Sequence, residues 1–342
     1  MQNQRQSNIE LLRIIAITMV LMLHFNLHGL YPDILGGSDT LSWFSFKGNL
    51  IESICICAVN VFVMISGYFA IKLSIKSVLN LYIRCFIIGL VTYLAYLLLA
   101  HDPISISALG GRIFAFTHNH WWFVISYFGL MAISPILNAG CEMLDKRTHL
   151  YVLSVLSAVM IYFGWYKNAE MTNSGYSLIH FIYIYIIARF LKLHVRESTI
   201  HTHKWLWLSL YIIMIGIMIV MAYIMPQYAY SYNNPVVIVQ ASCLLLFFAS
   251  IPFYNKFINW AAASVFSAYL IQESPYLGKL WIYPNFGEII ANASDGGGAI
   301  MFAIAVVGTL ILSILIDKLF VAPVIRMSNR LLAYAENKRN SK

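Results

Sequence analysis

The apolar character of the chain limits its possible folds more than any other feature. Of its 342 residues, 60% are hydrophobic and only 11% are charged, whereas about a quarter of the residues in a soluble domain are charged. A bilayer core of roughly 30 Å needs about 20 apolar residues per crossing, and runs of that length fill nearly the whole sequence. The sequence therefore predicts an all-α polytopic membrane protein with no separate soluble domain.

Hydropathy predicts a bundle of about ten transmembrane helices. With the N-terminus inside, the outer connectors carry, of 22 Lys and Arg residues, only Lys47, Arg112, Lys167 and Lys279. By the positive-inside rule, both termini are then cytoplasmic. The predicted spans are 11–30, 50–71, 79–99, 121–139, 150–166, 177–193, 205–225, 235–253, 257–277 and 299–321.

The domain organisation follows from this pattern. Residues 1–342 are predicted to form a single membrane domain, with a basic cytoplasmic tail over about 326–342. The first apolar run follows Arg5 and Arg13 and lacks a small-residue cleavage site, which predicts a retained first helix. The net charge of +8 is spread over helix ends, so the sequence predicts a membrane-lipid environment and no nucleic-acid partner.

Two long outward connectors are predicted, at 100–120 and 278–298, and loops of that length are uncommon in compact bundles unless they bind something or are disordered. The cysteines and histidines do not predict a metal site. The His-x-His pairs 118–120 and 201–203 lie on opposite sides of the predicted membrane, and neither has enough neighbouring ligands for zinc. The five cysteines are interpreted as packing residues; they are Cys55, Cys57, Cys85, Cys141 and Cys243.

The stretch NIELLRIIAITMVLMLHFN, at residues 8–26, places ionisable side chains on the first helix. Arg13 and His24 lie eleven residues apart, which is three helical turns plus about 20°, so both share one face. Glu10 lies on nearly the same face and can pair with Arg13. An ionisable residue deep in a membrane is a functional candidate, although a neutral histidine can equally form a structural hydrogen bond.

Several segments together resemble the acyltransferase-3 family. Arg13, ten residues and then His24 match its arginine–x10–histidine signature. Residues 59–69 resemble its second-helix Ser-Gly-Tyr/Phe pattern, and 120–138 its His-x-Trp-Phe opening with a Ser-Pro break. Residues 181–194 are similar to a family helix that ends in a basic residue, and 265–277 resemble its late Tyr-Leu-Ile-His pattern. The segments occur in the family's order along most of the chain.

The resemblance implies a membrane enzyme of about ten helices in the bacterial inner membrane. Such an enzyme transfers an acetyl or other acyl group from acyl-coenzyme A to a hydroxyl of a surface polysaccharide or lipid-linked glycan. Acetyl-coenzyme A would be the donor substrate, with no permanently bound cofactor. The chain departs from the family where Gln272 replaces the late histidine, because glutamine cannot shuttle a proton. Glu273 then becomes the more interesting neighbour.

The expected roles follow from the chemistry of acyl transfer. His24 suits the general base, since an ordinary imidazole accepts and returns a proton near neutral pH. Glu273 is the expected carboxylate partner of His24, and Arg13 completes the catalytic set. The residues expected to bind the phosphates of the acyl carrier are Arg13, Lys72, Lys76, Arg84 and Arg189. The residues expected to contact the acceptor are His120, Trp122, Tyr127, Ser66, Tyr68 and Gln272.

The same residues also have purely structural explanations. Most of the basic residues can be simple topology anchors, interfacial aromatic residues often form anchoring belts, and Ser66 and Gly67 can serve helix packing alone. The alternative function is a transporter or flippase for a polyprenyl-linked sugar, which would use broken helices at corresponding positions. A non-catalytic scaffold would leave the ionisable face of the first helix unexplained.

Overall fold

A computed structural model of the protein describes residues 6–30, 43–111, 121–293 and 295–340. Every regular element in those ranges is helical, which confirms the all-α class. Within these ranges seven helices are long and apolar enough to cross a membrane: Ser7–His28, Phe46–Tyr68, Ile75–Ala100, Trp122–Met143, Lys146–Tyr166, Lys204–Ile224 and Gly296–Arg339. A further apolar helix, Pro235–Ala249, is shorter.

The individual helices have the following bounds. The α-helices are Ser7–His24, Trp43–Cys55, Ala58–Tyr68, Ile75–Ala100, Ile106–Gly111, Trp122–Met143, Lys146–Val159, Leu178–His194, Glu197–Thr202, Lys204–Ile224, Pro226–Ala229, Pro235–Ala249, Lys256–Ala262, Phe266–Gln272, Tyr283–Ala291, Asp295–Ile316 and Ala322–Asn340. The π-helical segments are Phe25–Leu30, Met160–Tyr166, Leu277–Ile282 and Asp317–Val321, and Asn173–Gly175 is a 3₁₀ turn.

The described residues form two compact units. The first unit contains residues 6–27, 43–72 and 122–262. Its central element is the helix Ser7–His24, which packs against Ala58–Tyr68, Pro235–Ala249, Trp43–Cys55 and Lys256–Ala262 of the same unit. Polar contacts fix the start of this helix, because the Asn8 side-chain amide donates to the Phe248 carbonyl at 2.8 Å. The first helix is therefore enclosed by its own unit.

The second unit contains residues 28–30, 73–111, 121, 263–293 and 295–340. The helix Ile75–Ala100 packs against Phe266–Gln272 and Ala322–Asn340, and Phe266–Gln272 also packs against Asp295–Ile316. Ser74 begins the helix Ile75–Ala100 with a reciprocal capping box to Ser77, which satisfies backbone N–H groups that a helix start leaves unpaired.

The Ser-Pro break at residues 134 and 135 does not interrupt its helix. Pro135 lies inside Trp122–Met143 and has no N–H to donate to the carbonyl of Met131. The Ser134 hydroxyl donates to that carbonyl at 2.8 Å instead. The side chain of one residue thus replaces the hydrogen bond that its neighbour removes, and the helix continues through the break.

The last third of the chain differs from the sequence prediction. The span predicted at 257–277 consists of two short helices, Lys256–Ala262 and Phe266–Gln272, with a break between them. Hydropathy averages over a window and cannot detect such a break, at which the Ala263 carbonyl accepts from Arg84 at 3.2 Å. The connector predicted at 278–298 is largely helical, and residues 326–340 of the predicted tail belong to the helix Ala322–Asn340.

Candidate functional site

The first helix, Ser7–His24, carries two predicted functional residues, Arg13 and His24. Arg13 donates to the Glu10 carboxylate at 2.5 Å, which confirms the predicted pair. The Glu10 side chain is 7% exposed and that of Arg13 is 32% exposed. The acid is thus enclosed while part of the guanidinium stays accessible. Arg13 consequently has donors left for an anion, since a guanidinium carries five N–H groups.

His24 lies at the point where the first helix changes its geometry. It is the last α-helical residue, it is half-buried, and the π-helical segment Phe25–Leu30 follows directly. Short π-helical segments are rare and are often found at functional sites. The predicted base therefore lies beside a local departure from the regular helix.

A buried acid near this point was not singled out from the sequence. Glu52, in the helix Trp43–Cys55, is 4% exposed. The side-chain amide of Asn26 donates to its carboxylate at 2.9 Å and to the Gly48 carbonyl at 3.3 Å. Within the described ranges no basic side chain lies at ion-pair distance from Glu52. An acidic residue inside the apolar run 50–71 was the signal that could have identified it.

The Ser-Gly-Tyr motif combines packing with polar contacts. A Cβ at Gly67 would lie 2.7 Å from the Tyr185 carbonyl oxygen, so only glycine permits this approach of the helices Ala58–Tyr68 and Leu178–His194. Ser66 shares a hydrogen bond of 3.2 Å with the Tyr127 hydroxyl. The structure therefore brings together two of the residues predicted to contact the acceptor.

The segment after Tyr68 is held by hydrogen bonds from neighbouring helices. The Ile71 backbone N–H donates to the Tyr185 hydroxyl at 2.9 Å, and that hydroxyl donates to Asn138 at 2.6 Å. The Asn138 amide donates in turn to the Ile71 carbonyl at 3.0 Å. This closed set of hydrogen bonds fixes the backbone next to the exposed side chain of Lys72.

Basic side chains surround this segment within the first unit. The ammonium group of Lys192 lies 5.1 Å from the centre of the Tyr68 ring, within the range of a cation–π contact. Arg189, on the same helix as Lys192, is 4% exposed and forms an ion pair of 2.8 Å with Glu142. Among the described residues, the Arg189 Nε has no hydrogen-bond partner. The name basic group is used below for Lys72, Arg189 and Lys192 together with Tyr68, whose ring contacts Lys192.

Arg84 lies in the second unit and has internal partners. Its Nε forms an ion pair of 3.2 Å with Asp317, which is 1% exposed. Ser267 donates to the same carboxylate at 2.5 Å, so Arg84 links three segments of this unit. The predicted contact of Arg84 with the acyl carrier stays a prediction, and the ion pair competes with it. Lys76, at the start of the same helix, is exposed.

Glu273 ends a helix of the second unit and is largely enclosed. The Tyr283 hydroxyl donates to its carboxylate at 2.6 Å, and the Lys279 ammonium lies 3.5 Å from the other carboxylate oxygen. The Trp121 indole donates to the Glu273 backbone carbonyl at 3.1 Å. Burial and the adjacent Glu273 carboxylate raise the pKa of the Tyr283 phenol well above its ordinary value. Tyr283 is therefore protonated at neutral pH and remains a donor to Glu273.

Gln272 is fully buried. It stands where the family pattern that residues 265–277 resemble has a histidine. A Cβ at Gly278 would lie only 1.8 Å from the Gln272 carbonyl oxygen. The chain thus returns onto the end of the helix Phe266–Gln272 in a turn that excludes every other residue type. This turn carries both Glu273 and Lys279, which explains why the two charges meet.

Trp122 packs among aromatic rings of the first unit. Its ring centre lies 4.5 Å from that of Tyr176 and 5.8 Å from that of Tyr232, to which it is nearly parallel. Tyr127 stacks on Phe123 in the same helix. His120, predicted to contact the acceptor, lies outside the described residues. All five cysteines are buried and unpaired, and the described residues contain no group of three potential metal ligands.

The match to a known protein family covers segments of both units. The profile of the acyltransferase-3 family, described as an acyltransferase domain, matches residues 6–318. No curated protein and no solved structure is significantly similar to the chain. The matched range includes the first helix, the Ser-Gly-Tyr motif and the turn at Glu273. The chain is therefore a membrane acyltransferase that belongs to the acyltransferase-3 family.

Proposed function

We propose that the protein moves an acetyl group from acetyl-coenzyme A to a hydroxyl of a cell-surface polysaccharide or lipid-linked glycan. The observation that carries this proposal is the first helix, on which Arg13 keeps unused donors and His24 lies at the end of the α-helix. Family membership supports acyl transfer in general. The nature of the donor, the acceptor and the O-acetyl product belongs to the proposal.

The chemistry assigned to His24 is general base catalysis. Its imidazole takes the proton from the acceptor hydroxyl while the oxygen attacks the thioester carbonyl carbon. The tetrahedral intermediate then collapses, the carbon–sulfur bond breaks, and the coenzyme A sulfur takes the proton back from the imidazolium. The products are the acetyl ester and coenzyme A thiol, and no oxidant or reductant is needed. General base catalysis of this kind contributes about 10²–10⁴ in rate.

The phosphates of the donor are assigned to Arg13 and to the basic group. Guanidinium groups bind phosphate through paired hydrogen bonds, and the buried Arg189 Nε lacks a hydrogen-bond partner within the described part of the chain. Lys72 adds an exposed charge next to a backbone segment that is already fixed. Lys76 and Arg84 are kept as weaker candidates, since Asp317 already engages Arg84.

The carboxylates are assigned to two different tasks. Glu273 is proposed as the catalytic carboxylate, and Tyr283 supports it by donating to one of its oxygens. Glu52 is proposed as a positioning residue, because it holds Asn26 in the π-helical segment that follows His24. Ser66, Tyr68, Trp122, Tyr127, Gln272 and His120 remain the proposed acceptor contacts.

The proposal includes a topology and a location. The protein is taken to be a single membrane domain of about ten spans with both termini in the cytoplasm, in a bacterial inner membrane, without a permanently bound cofactor. The basic group and Arg13 then face the compartment that supplies acetyl-coenzyme A. Alternation of the basic residues between the connectors supports this orientation.

The test measures coenzyme A thiol release by purified protein in nanodiscs supplied with acetyl-coenzyme A and lipid-linked or soluble glycans. We expect turnover by the wild type and its loss in His24→Ala and Arg13→Ala. Matched controls are His203→Ala, which removes an exposed histidine, and Arg147→Ala, which removes an exposed arginine; both should keep full activity. Turnover that survives in His24→Ala would contradict the assigned base. Transport of a polyprenyl-linked sugar without thiol release would favour the flippase.

A further inference from the structure

The last helix of the second unit is longer than a membrane crossing requires. It is helical from Gly296 to Arg339 without interruption, which is 44 residues. About 20 residues suffice to cross the hydrocarbon core, and the apolar sequence gives way to basic residues from Lys318 onward. The segment Ala322–Asn340 therefore continues the spanning helix beyond the hydrocarbon core.

This extension carries a regular row of exposed apolar side chains. They are 36% to 69% exposed and follow one another at intervals of four, three, four and three residues. They begin at Phe320, in the π-helical segment just before the extension, and continue on the extension with Val324, Met327, Leu331 and Tyr334; these five side chains are called the apolar stripe below. The opposite face, with Ile325 and Leu332, is less exposed, and the extension packs against the helix Ile75–Ala100. One face of the extension is thus covered by its own unit, whereas the side chains of the stripe are exposed.

We propose that the apolar stripe binds the same stripe of a second copy of this chain, in a parallel two-stranded coiled coil. Alternating intervals of three and four residues are the spacing of coiled-coil core positions. Val324 and Leu331 occupy position a, and Phe320, Met327 and Tyr334 occupy position d. Two copies inserted in one membrane have the same orientation, so their stripes run parallel and begin at the same depth.

The charges beside the stripe permit this pairing. In a parallel pair, position g of one helix faces position e of the next heptad in the other helix. Here g is Pro323 and Arg330, and the facing e positions are Ser328 and Ala335. The facing pairs are therefore Pro323 with Ser328 and Arg330 with Ala335. No like charges meet across the two helices.

The short length of the stripe is compatible with a dimer because the helices are anchored. An isolated helix of about 15 residues is marginal in water. Membrane anchorage makes the pairing of two extensions resemble an intramolecular event at high effective concentration. A lipid surface is the less suitable occupant, because interfacial helices carry their basic residues on the face opposite the apolar one. In this helix that opposite face packs against Ile75–Ala100.

Cysteine crosslinking in native membranes tests the contact directly. Leu331→Cys places a thiol in the stripe, and Ala333→Cys places one on an exposed position of a different face of the same helix. The five native cysteines are buried, so they provide a low background. After mild oxidation we expect about tenfold more covalent dimer from Leu331→Cys, because thiols that point apart cannot be bridged. Equal yields from the two variants, or no dimer from Leu331→Cys, would overturn the proposal.

Particle mass in nanodiscs gives a second readout. We expect the wild type to be dimeric, the double variant Met327→Glu/Leu331→Glu to be monomeric, and the control Ala333→Glu to remain dimeric. Thiol release by the monomeric double variant is expected to be unchanged, which separates this proposal from the proposed catalytic function. A monomeric wild type, with a fluorophore at position 331 quenched by spin-labelled lipid, would assign the stripe to the membrane instead.

Discussion

The two units each bury an acidic side chain among apolar helices, but they surround it differently. Asp317, in the second unit, meets the guanidinium of Arg84 and the hydroxyl of Ser267. Glu52, in the first unit, meets only the Asn26 amide among the described side chains. A buried acid with a complete set of partners acts as a structural clamp. An acid with an incomplete set, whose partner Asn26 lies two residues after His24, suits a functional region.

The comparison shows that burial of an ionisable residue is not sufficient to indicate chemistry. Membrane-embedded charges are functional candidates by default, and on that criterion Arg84 and Arg13 rank equally. Their partners separate them: Arg84 is engaged by a buried acid from a distant segment, whereas Arg13 pairs with Glu10 one turn away and remains one-third exposed. The predictions below are ordered by the size of the expected effect.

The largest effect is expected at the first helix. His24→Gln should lower the rate of thiol release by about 10²–10⁴-fold, because glutamine can form a hydrogen bond but cannot accept the proton. Thermal unfolding should stay close to that of the wild type. A variant with a lowered melting temperature but normal turnover per folded molecule would show that His24, like Arg84 and Asp317, has a structural role.

Removing one partner of the clamp should chiefly affect stability. Asp317→Ala leaves the buried part of Arg84 without its acid and should lower the free energy of unfolding by about 3–5 kcal/mol. Replacing both partners, as in Arg84→Met/Asp317→Leu, should recover most of this loss, since apolar residues can substitute for a buried pair. Thermal denaturation in detergent measures both variants. A stable Asp317→Ala variant that binds acetyl-coenzyme A more tightly than the wild type would indicate instead that Arg84 serves the donor once it is released from the ion pair.

The close approach at the Ser-Gly-Tyr motif should be intolerant of a single methyl group. Gly67→Ala should cost about 1–3 kcal/mol, the usual range for overpacking, because its Cβ would lie 2.7 Å from the Tyr185 carbonyl oxygen. Gly140→Ala is the matched control, as no described atom beyond its own helical turns lies within 4 Å of its Cβ position. Equal melting temperatures for the two variants would show that the helices are not in tight contact.

The contact between Asn26 and Glu52 gives a comparable but more selective effect. Asn26→Ala removes the donor to a buried carboxylate and should destabilise the protein by about 1–3 kcal/mol. Glu52→Gln keeps an acceptor for Asn26 and should therefore lower the free energy of unfolding by less than Asn26→Ala does. If Glu52 positions the segment after His24, Glu52→Gln should change the pH profile of thiol release more than the melting temperature. An unchanged profile would leave Glu52 a packing residue.

The smallest effect is expected at an exposed lysine. Lys72→Ala should weaken donor binding by about 0.2–1 kcal/mol, the range of exposed ion pairs. The difference from the wild type should shrink as salt is added, since exposed charges are screened. Lys167→Ala, on a connector of the predicted outer side, is the control and should not alter binding of acetyl-coenzyme A.

Local patterns predicted local structure well. The i,i+3 pair of Glu10 and Arg13 and the helical class follow from spacing and composition. Contacts between residues that are distant in sequence could not be predicted in this way. Arg84 was indistinguishable from the other cytoplasmic basic residues until its partner Asp317 was known, and Glu52 was one acid in an apolar run. The break between Ala262 and Phe266 was hidden because hydropathy does not describe backbone geometry.

The order of the segments along the chain has a consequence for biosynthesis. The helix that carries Arg84 belongs to a unit whose other half begins only at residue 263. At about 5–20 residues per second, roughly ten seconds or more of translation separate the synthesis of Arg84 from that of Asp317. During that interval Arg84 has already been synthesised, whereas its ion-pair partner Asp317 has not. A nascent chain paused between residues 100 and 260 should therefore depend most strongly on an insertase that shelters a polar helix.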